Sequence, residues 1–226
     1  MKNYLLLFFL LLSCFSCSSS KNSDTFITTA TGRYLFNANE VIAVYFKEKV
    51  LYIKWRGKED IEPLKVNDSA FYMKELNEKI LFISTPTMHI ELAAKTEHEG
   101  VKYHFKKMHT GEKTPTEYFE AGDFKSALIA FKKIQQKDSL NPAIKQRILN
   151  KAGYSYLNNN DFTKAIEIFK INMVLYPKSS NTYDSLGDAY LKKEDTTNAI
   201  SSYNKALSIN PENRSSLRML GRINKK

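Results

Sequence analysis

A chain of 226 residues, 42% hydrophobic and 26% charged, has an ordinary soluble globular mix and the length of one large or two small domains. Its net charge of +10 is spread as +1 from Lys2, +2 over residues 21–111 (14 basic, 12 acidic) and +7 over residues 112–226 (19 basic, 12 acidic), where lysines interleave with acids and apolar residues. That pattern is a solvated helix surface, and with no nucleic-acid-binding motif beside it nucleic acid is excluded as a partner.

The chain begins with Lys2, an apolar run from Tyr4 to Leu12, small residues with cysteine, and a serine-rich stretch. The run is shorter than the roughly 20 apolar residues that span a bilayer, and it fits the apolar region of an export signal. Leu11-Leu12-Ser13-Cys14 resembles the lipobox of bacterial lipoproteins, in which cleavage falls before a lipidated cysteine. Cys14 is the first choice for lipidation, and Cys17, preceded by Cys14-Phe15-Ser16, is the alternative. The resemblance implies a signal peptide over residues 1–17, a tether over 18–24, and an exported protein held on a bacterial membrane by lipid. An outer membrane is the first expectation, with periplasmic and surface-exposed orientations both open. No other cysteine exists, so the folded part holds no disulfide and no cysteine metal site.

Over residues 25–108 the periodicity is two. Val41 to Phe46, Val50 to Trp55, Ala70 to Met73, Lys79 to Ile83, Met88 to Leu92 and Val101 to Phe105 alternate apolar and polar positions. Breaks at Glu48-Lys49, Arg56-Gly57-Lys58, Asn67-Asp68, Asn77-Glu78 and Glu99-Gly100 predict an antiparallel meander. Closing it into a small barrel or folded-over sheet would bury one face of each strand and protect the edges. Thr31-Gly32-Arg33-Tyr34-Leu35, then Leu51-Tyr52-Ile53, Ile61-Glu62-Pro63-Leu64, Ala70-Phe71-Tyr72 and Lys79-Ile80-Leu81-Phe82 together resemble the small β-domain that follows the catalytic domain in many serine hydrolases related to β-lactamases and penicillin-binding proteins.

The catalytic domain of those enzymes is not recognisable in this chain. Ser18-Ser19-Ser20-Lys21, His109-Thr110-Gly111 and Tyr156-Leu157-Asn158 match fragments of their motifs, but in the wrong order and the wrong settings: a tether, a linker over residues 109–114, and a helical repeat. No catalytic residue is assigned, and the expectation is a non-enzyme. His89, His98, His104 and His109 lack the paired spacing of metal ligands along the chain, and no glycine-rich phosphate loop occurs. Neither a metal, a cofactor nor a small-molecule substrate is therefore expected. Trp55, ending a strand beside a turn, reads as a core or rim aromatic.

From Thr114 onward the period becomes 3.6. Leu149, Gly153, Tyr156, Ala165, Phe169 and Pro177 recur 34 residues later as Tyr183, Gly187, Tyr190, Ala199, Tyr203 and Pro211. This spacing resembles the tetratricopeptide repeat, a helix-turn-helix unit. Glycine and alanine would let paired helices approach, Asp161 and Asp195 would cap each second helix, and Pro177 and Pro211 would end each unit. An earlier, irregular copy holds Tyr118, Asp123, Ala127, Phe131 and Pro142, with extra residues in its second helix or exit turn. Leu217, Leu220 and Gly221 open a terminal helix that caps the stack. The expected fold is α+β multidomain: an antiparallel β meander or barrel-like domain, then an α-helical tetratricopeptide-repeat solenoid over residues 115–226, with repeats at 115–142, 146–178 and 180–212 and a cap at 213–224.

The family resemblance implies a protein or peptide partner in the groove lined by first helices. In repeat register that groove comprises Arg147, Asn150, Tyr154, Asn158, Asn181, Asp184, Asp188 and Lys192. The lysine-asparagine clamp that grips a C-terminal carboxylate in chaperone cofactors is not reproduced, and Asp184 and Asp188 stand where cations would be needed. The leading expectation is a membrane-anchored, non-catalytic binding protein. An accessory or regulatory subunit of a separately encoded serine hydrolase is the alternative, and a degenerate enzyme the third.

Overall fold

The structure, a computed structural model, describes residues 21–225. Cys14, Cys17 and the lipobox reading lie outside the described residues. Two compact units result: one of residues 21–36 and 41–109, one of residues 37–40 and 110–225.

The first unit opens with a helix that strand periodicity does not announce, α1 (Asp24–Ala30). Ser23 caps it by accepting from the Phe26 N–H, and Asn22, at the end of the expected tether, is buried with its Nδ2 donating to the Lys49 carbonyl at 2.9 Å. Phe26 carries the helix into the core, its ring 5.2 Å from Phe82, 5.8 Å from Phe71 and 5.9 Å from Phe46. A four-stranded sheet follows in sequence order, β1 (Gly32–Asn37), β2 (Glu40–Lys47), β3 (Val50–Trp55) and β4 (Lys58–Ile61). A five-stranded one continues it, β5 (Leu64–Lys65), β6 (Ala70–Met73), β7 (Glu78–Ile83), β8 (His89–Leu92) and β9 (His104–Lys106).

Alternation puts Ile42 and Val44, Leu51, Ile53 and Trp55, Phe71 and Met73, Ile80 and Phe82 into one core. The two ends of the meander meet: Tyr34 bridges Lys107, and the Met108 N–H donates to the Arg33 carbonyl at 2.7 Å. That joins the two sheets along one seam, beside β1 and β9, while β4 and β5 are not paired with each other. Trp55 is 5% exposed, with the Arg56 guanidinium 4.2 Å from its ring, so it is a core aromatic at the rim. The last expected strand starts late, at His104. Val101 and Tyr103 are exposed: a left-handed Glu99 and Gly100 at the end of a short 3-10 helix turn the chain, and pairing with β8 begins at the Tyr103 carbonyl, which accepts from the Leu92 N–H at 3.3 Å.

The second unit is a series of helical hairpins: α2 (Pro115–Glu120) with α3 (Phe124–Lys137), α4 (Gln146–Asn158) with α5 (Phe162–Leu175), and α6 (Ser180–Lys192) with α7 (Thr196–Ile209), then a single α8 (Arg214–Ile223). Each second helix is capped by aspartate: Asp123, Asp161 and Asp195 accept from the N–H of Ser126, Lys164 and Asn198 at 3.0–3.1 Å. The glycines do what the repeat pattern requires. A methyl group at Gly153 would overlap the Phe169 ring, and one at Gly187 would lie 2.6 Å from the Tyr203 ring. The irregularity of the first copy is resolved as well. α3, α5 and α7 are each 14 residues long, so the additional residues fall entirely in the exit turn, which holds a 3-10 helix, Pro142–Ile144.

Candidate functional site

The first helices α4, α6 and α8 bound a cavity of about 720 Å³. Repeat register explains its lining. Tyr154 and Asp188 occupy the same position of α4 and α6, one residue after the packing glycine, and Asn158 and Lys192 lie four residues further along each helix. All four line the cavity together with Ser215, Arg218 and Met219 of α8. Of the eight residues expected in the groove, the structure brings together Tyr154, Asn158, Asp188 and Lys192. Arg147 and Asn181 are exposed near the starts of their helices, outside that lining, and the Asn150 Oδ1 is buried without a hydrogen-bond partner among the described residues.

The two aspartates that looked like misplaced anions have internal work. Asp188 accepts through one oxygen from the Tyr154 hydroxyl and through the other from the Tyr203 hydroxyl, both at 2.7 Å. It thereby ties α4, α6 and α7 together, and burial pushes both phenols far above their ordinary range, with the Asp188 charge adding to the effect. Asp184 is 6% exposed and accepts from the Ser216 Oγ at 2.6 Å, so it holds α8 onto α6 instead of facing a partner. Burial raises its carboxyl above the usual aspartate range and Asp188 adds to that, while Ser216, Ser215 and Arg218 pull the other way. With both carboxylates engaged in this way, Lys192 and Arg218 are the exposed charged side chains of the cavity wall among the described residues.

Ser215, Arg218 and Met219 were missed by sequence reasoning. The signal was available, since residues 215 and 218 lie one 34-residue period after Asn181 and Asp184. A second depression, about 510 Å³ and largely apolar, lies between α3, α5 and α6 and is lined by Leu128, Ile171, Val174 and Tyr190.

Of the fragments that imitate hydrolase motifs, Tyr156 has a structural part in the helical unit. Ser18, Ser19 and Ser20 are outside the described residues. The Tyr156 hydroxyl donates to Glu120, which also pairs with Lys164, so this tyrosine joins α2 to the next hairpin. In the β unit, strand pairing supplies what chain spacing does not: ligand atoms of His89, Glu91 and His104 all lie within 4.8 Å of one another. No helix among the described residues is long and apolar enough to cross a membrane.

Comparison with known proteins agrees with the helical half. Residues 146–170 and 180–213 match the family model described as tetratricopeptide repeat. The tetratricopeptide repeat domain-containing protein PYG7, chloroplastic, of Arabidopsis thaliana is 29% identical over 133 residues, which cover 55% of this chain and 42% of that protein. The chain thus spans less than half the length of that relative. Among solved structures, the first repeat domain of Spaghetti (RPAP3) bound to an HSP90 peptide is 20% identical with a TM-score of 0.34, covering 49% of this chain and 85% of that one. The MamA protein is 27% identical with a TM-score of 0.33, covering 48% and 57%.

Proposed function

We propose, for a chain whose residues 146–170 and 180–213 are tetratricopeptide repeats, that it is a non-catalytic scaffold whose α4–α6–α8 groove binds an acidic segment of a protein partner. The observation that supports this is the cavity itself. Of its two aspartate neighbours, Asp184 is buried against Ser216 and Asp188 has its oxygens engaged by the Tyr154 and Tyr203 hydroxyls, and the fully exposed charges on its wall are the cations Lys192 and Arg218, beside an apolar floor of Leu157, Leu191 and Met219. A segment pairing a carboxylate with an apolar side chain fits such a wall. The groove residues named from repeat register, Arg147, Asn150, Tyr154, Asn158, Asn181, Asp184, Asp188 and Lys192, enter this reading unequally: Tyr154, Asn158, Asp188 and Lys192 shape the cavity, and Asp184 supports it from below the surface.

The anchor belongs to the same reading. Lipid on Cys14, or on Cys17, would hold the repeats at a bacterial membrane, where two or more acyl chains give durable attachment. Labelling with a palmitate analogue should mark the protein and be lost in Cys14→Ser; a protein that stays unlabelled and soluble defeats the anchor.

For the groove, the test is an array of acidic peptides, internal and C-terminal, probed with the full chain and with Lys192→Glu/Arg218→Glu. Both side chains are exposed, so the variant should keep its helical spectrum. Binding should fall by about tenfold or more and weaken with added salt. Peptides held equally well by both proteins would place the partner elsewhere.

A further inference from the structure

We propose that His89, Glu91 and His104 form a binding site for a zinc-class divalent transition metal on the β8–β9 hairpin. The register makes the site. Glu91 pairs directly with His104 across the two strands, and His89, two residues earlier, shares the Glu91 face of β8. The imidazoles of His89 and His104 consequently lie over one another, their centroids 4.1 Å apart.

The hydrogen bonds set the chemistry. The Nδ1 of His89 lies 2.7 Å from the Thr87 carbonyl, and a carbonyl only accepts, so Nδ1 carries the hydrogen. The other nitrogen, Nε2, faces the Glu91 carboxylate 3.2 Å away, and in the neutral imidazole it presents a lone pair there. Two acceptors at that distance call for a cation between them. A proton would need only these two, whereas here a third donor arrives: His104 Nδ1 stands 4.0 Å from the same Glu91 oxygen.

Zinc holds nitrogen and oxygen ligands at about 2.0–2.2 Å, which sets neighbouring ligand atoms of a tetrahedron about 3.3 Å apart. The His89–Glu91 pair already has that separation. His104 can close its own, since its side chain is 52% exposed and free to turn, whereas His89 is 5% exposed and oriented by Thr87. A histidine whose second nitrogen donates to a backbone carbonyl is the usual support of a metal ligand. Lys106 lies opposite His89 in register, but it is exposed and its ammonium can remain in water. Two imidazoles and a carboxylate leave the fourth position to water, and the metal would pin β9, a strand of three residues, to β8.

The test uses the full chain with Cys14→Ser and Cys17→Ser, so that thiols contribute nothing, stripped with EDTA and titrated with cobalt(II), then competed with zinc(II). One cobalt per chain with the intense visible absorption of four-coordinate geometry is expected. His104→Ala, at a half-exposed position that should fold normally, and Glu91→Gln should each weaken binding about tenfold or more, while His98→Ala and His109→Ala leave it unchanged. No absorption, the weak spectrum of a six-coordinate ion, or equal affinity in His104→Ala would overturn the site.

Discussion

At residue scale, the informative contrast is between three glycines in equivalent repeat positions. Gly153 and Gly187 are buried against Phe169 and Tyr203, whereas a methyl at Gly221 would meet nothing within 4 Å. Alanine improves a helix interior by roughly 1 kcal/mol over glycine, but forcing a methyl into a packed interface costs about 1–3 kcal/mol or more. Gly187→Ala should therefore destabilise the helical unit and Gly221→Ala should stabilise it; urea titration followed by circular dichroism reads both, and equal effects would contradict the packing described. Asp184 provides a second residue-scale outcome. Its carboxyl is raised in the folded state, so its share of stability is fully present below the ordinary aspartate value and is lost as pH rises through the folded one. Asp184→Asn should raise the thermal midpoint by a few degrees at pH 7, and the gain should shrink towards pH 3, where the native carboxyl is neutral too.

At the scale of elements, caps and turns can be compared. The Asp161 carboxylate satisfies the Lys164 N–H at the start of α5, the helix with the most buried residues in the unit, so Asp161→Ala should cost about 1 kcal/mol. In the β unit, Glu48 and Lys49 both adopt left-handed backbone in the β2–β3 turn, at φ of 48° and 70°. Asparagine tolerates that conformation better than glutamate, and Glu48→Asn should stabilise the hairpin by a few tenths to about 1 kcal/mol. The strands β2, β3, β6, β7 and β8 and the capping aspartates were readable because each is set by local chemistry within a few residues. α1 was not. Asp-Thr-Phe-Ile-Thr-Thr-Ala is poor in strong helix formers, and what holds it is Phe26 lying among Phe46, Phe71 and Phe82, partners up to 56 residues away.

On the scale of the whole molecule, acid should loosen both units. In the helical unit Glu120 is held below the usual glutamate range by hydrogen bonds from Lys164 and Tyr156, and Asp123 and Asp195 are lowered by Ser126 and Asn198 at their helix starts. In the β unit, Asp60 is lowered by Lys47 and Tyr45, and burial acts to raise Glu78 but the hydrogen bonds from Lys95 and His98 outweigh it. For depressed carboxyls the stabilisation is present above their unfolded values and disappears as pH falls through the folded ones, so unfolding midpoints should hold from pH 7 to 5 and drop below about 4. The Glu120→Gln variant should flatten that drop in the helical unit.

The sequence by itself determined the order of architectures, the repeat and its phase, the caps and the packing glycines, because these follow from periodicity and from residues acting on their neighbours. It also placed Tyr154, Asn158, Asp188 and Lys192 on one face. Only the tertiary structure decided which charges that face presents. Asp184 is buried against Ser216 and Asp188 is engaged by Tyr154 and Tyr203, at separations of 15 to 34 residues, and Arg218 joins the wall from α8. Convergence of His89, Glu91 and His104 was likewise decided by strand register, since two side chains that share a sheet face need no fixed spacing along the chain.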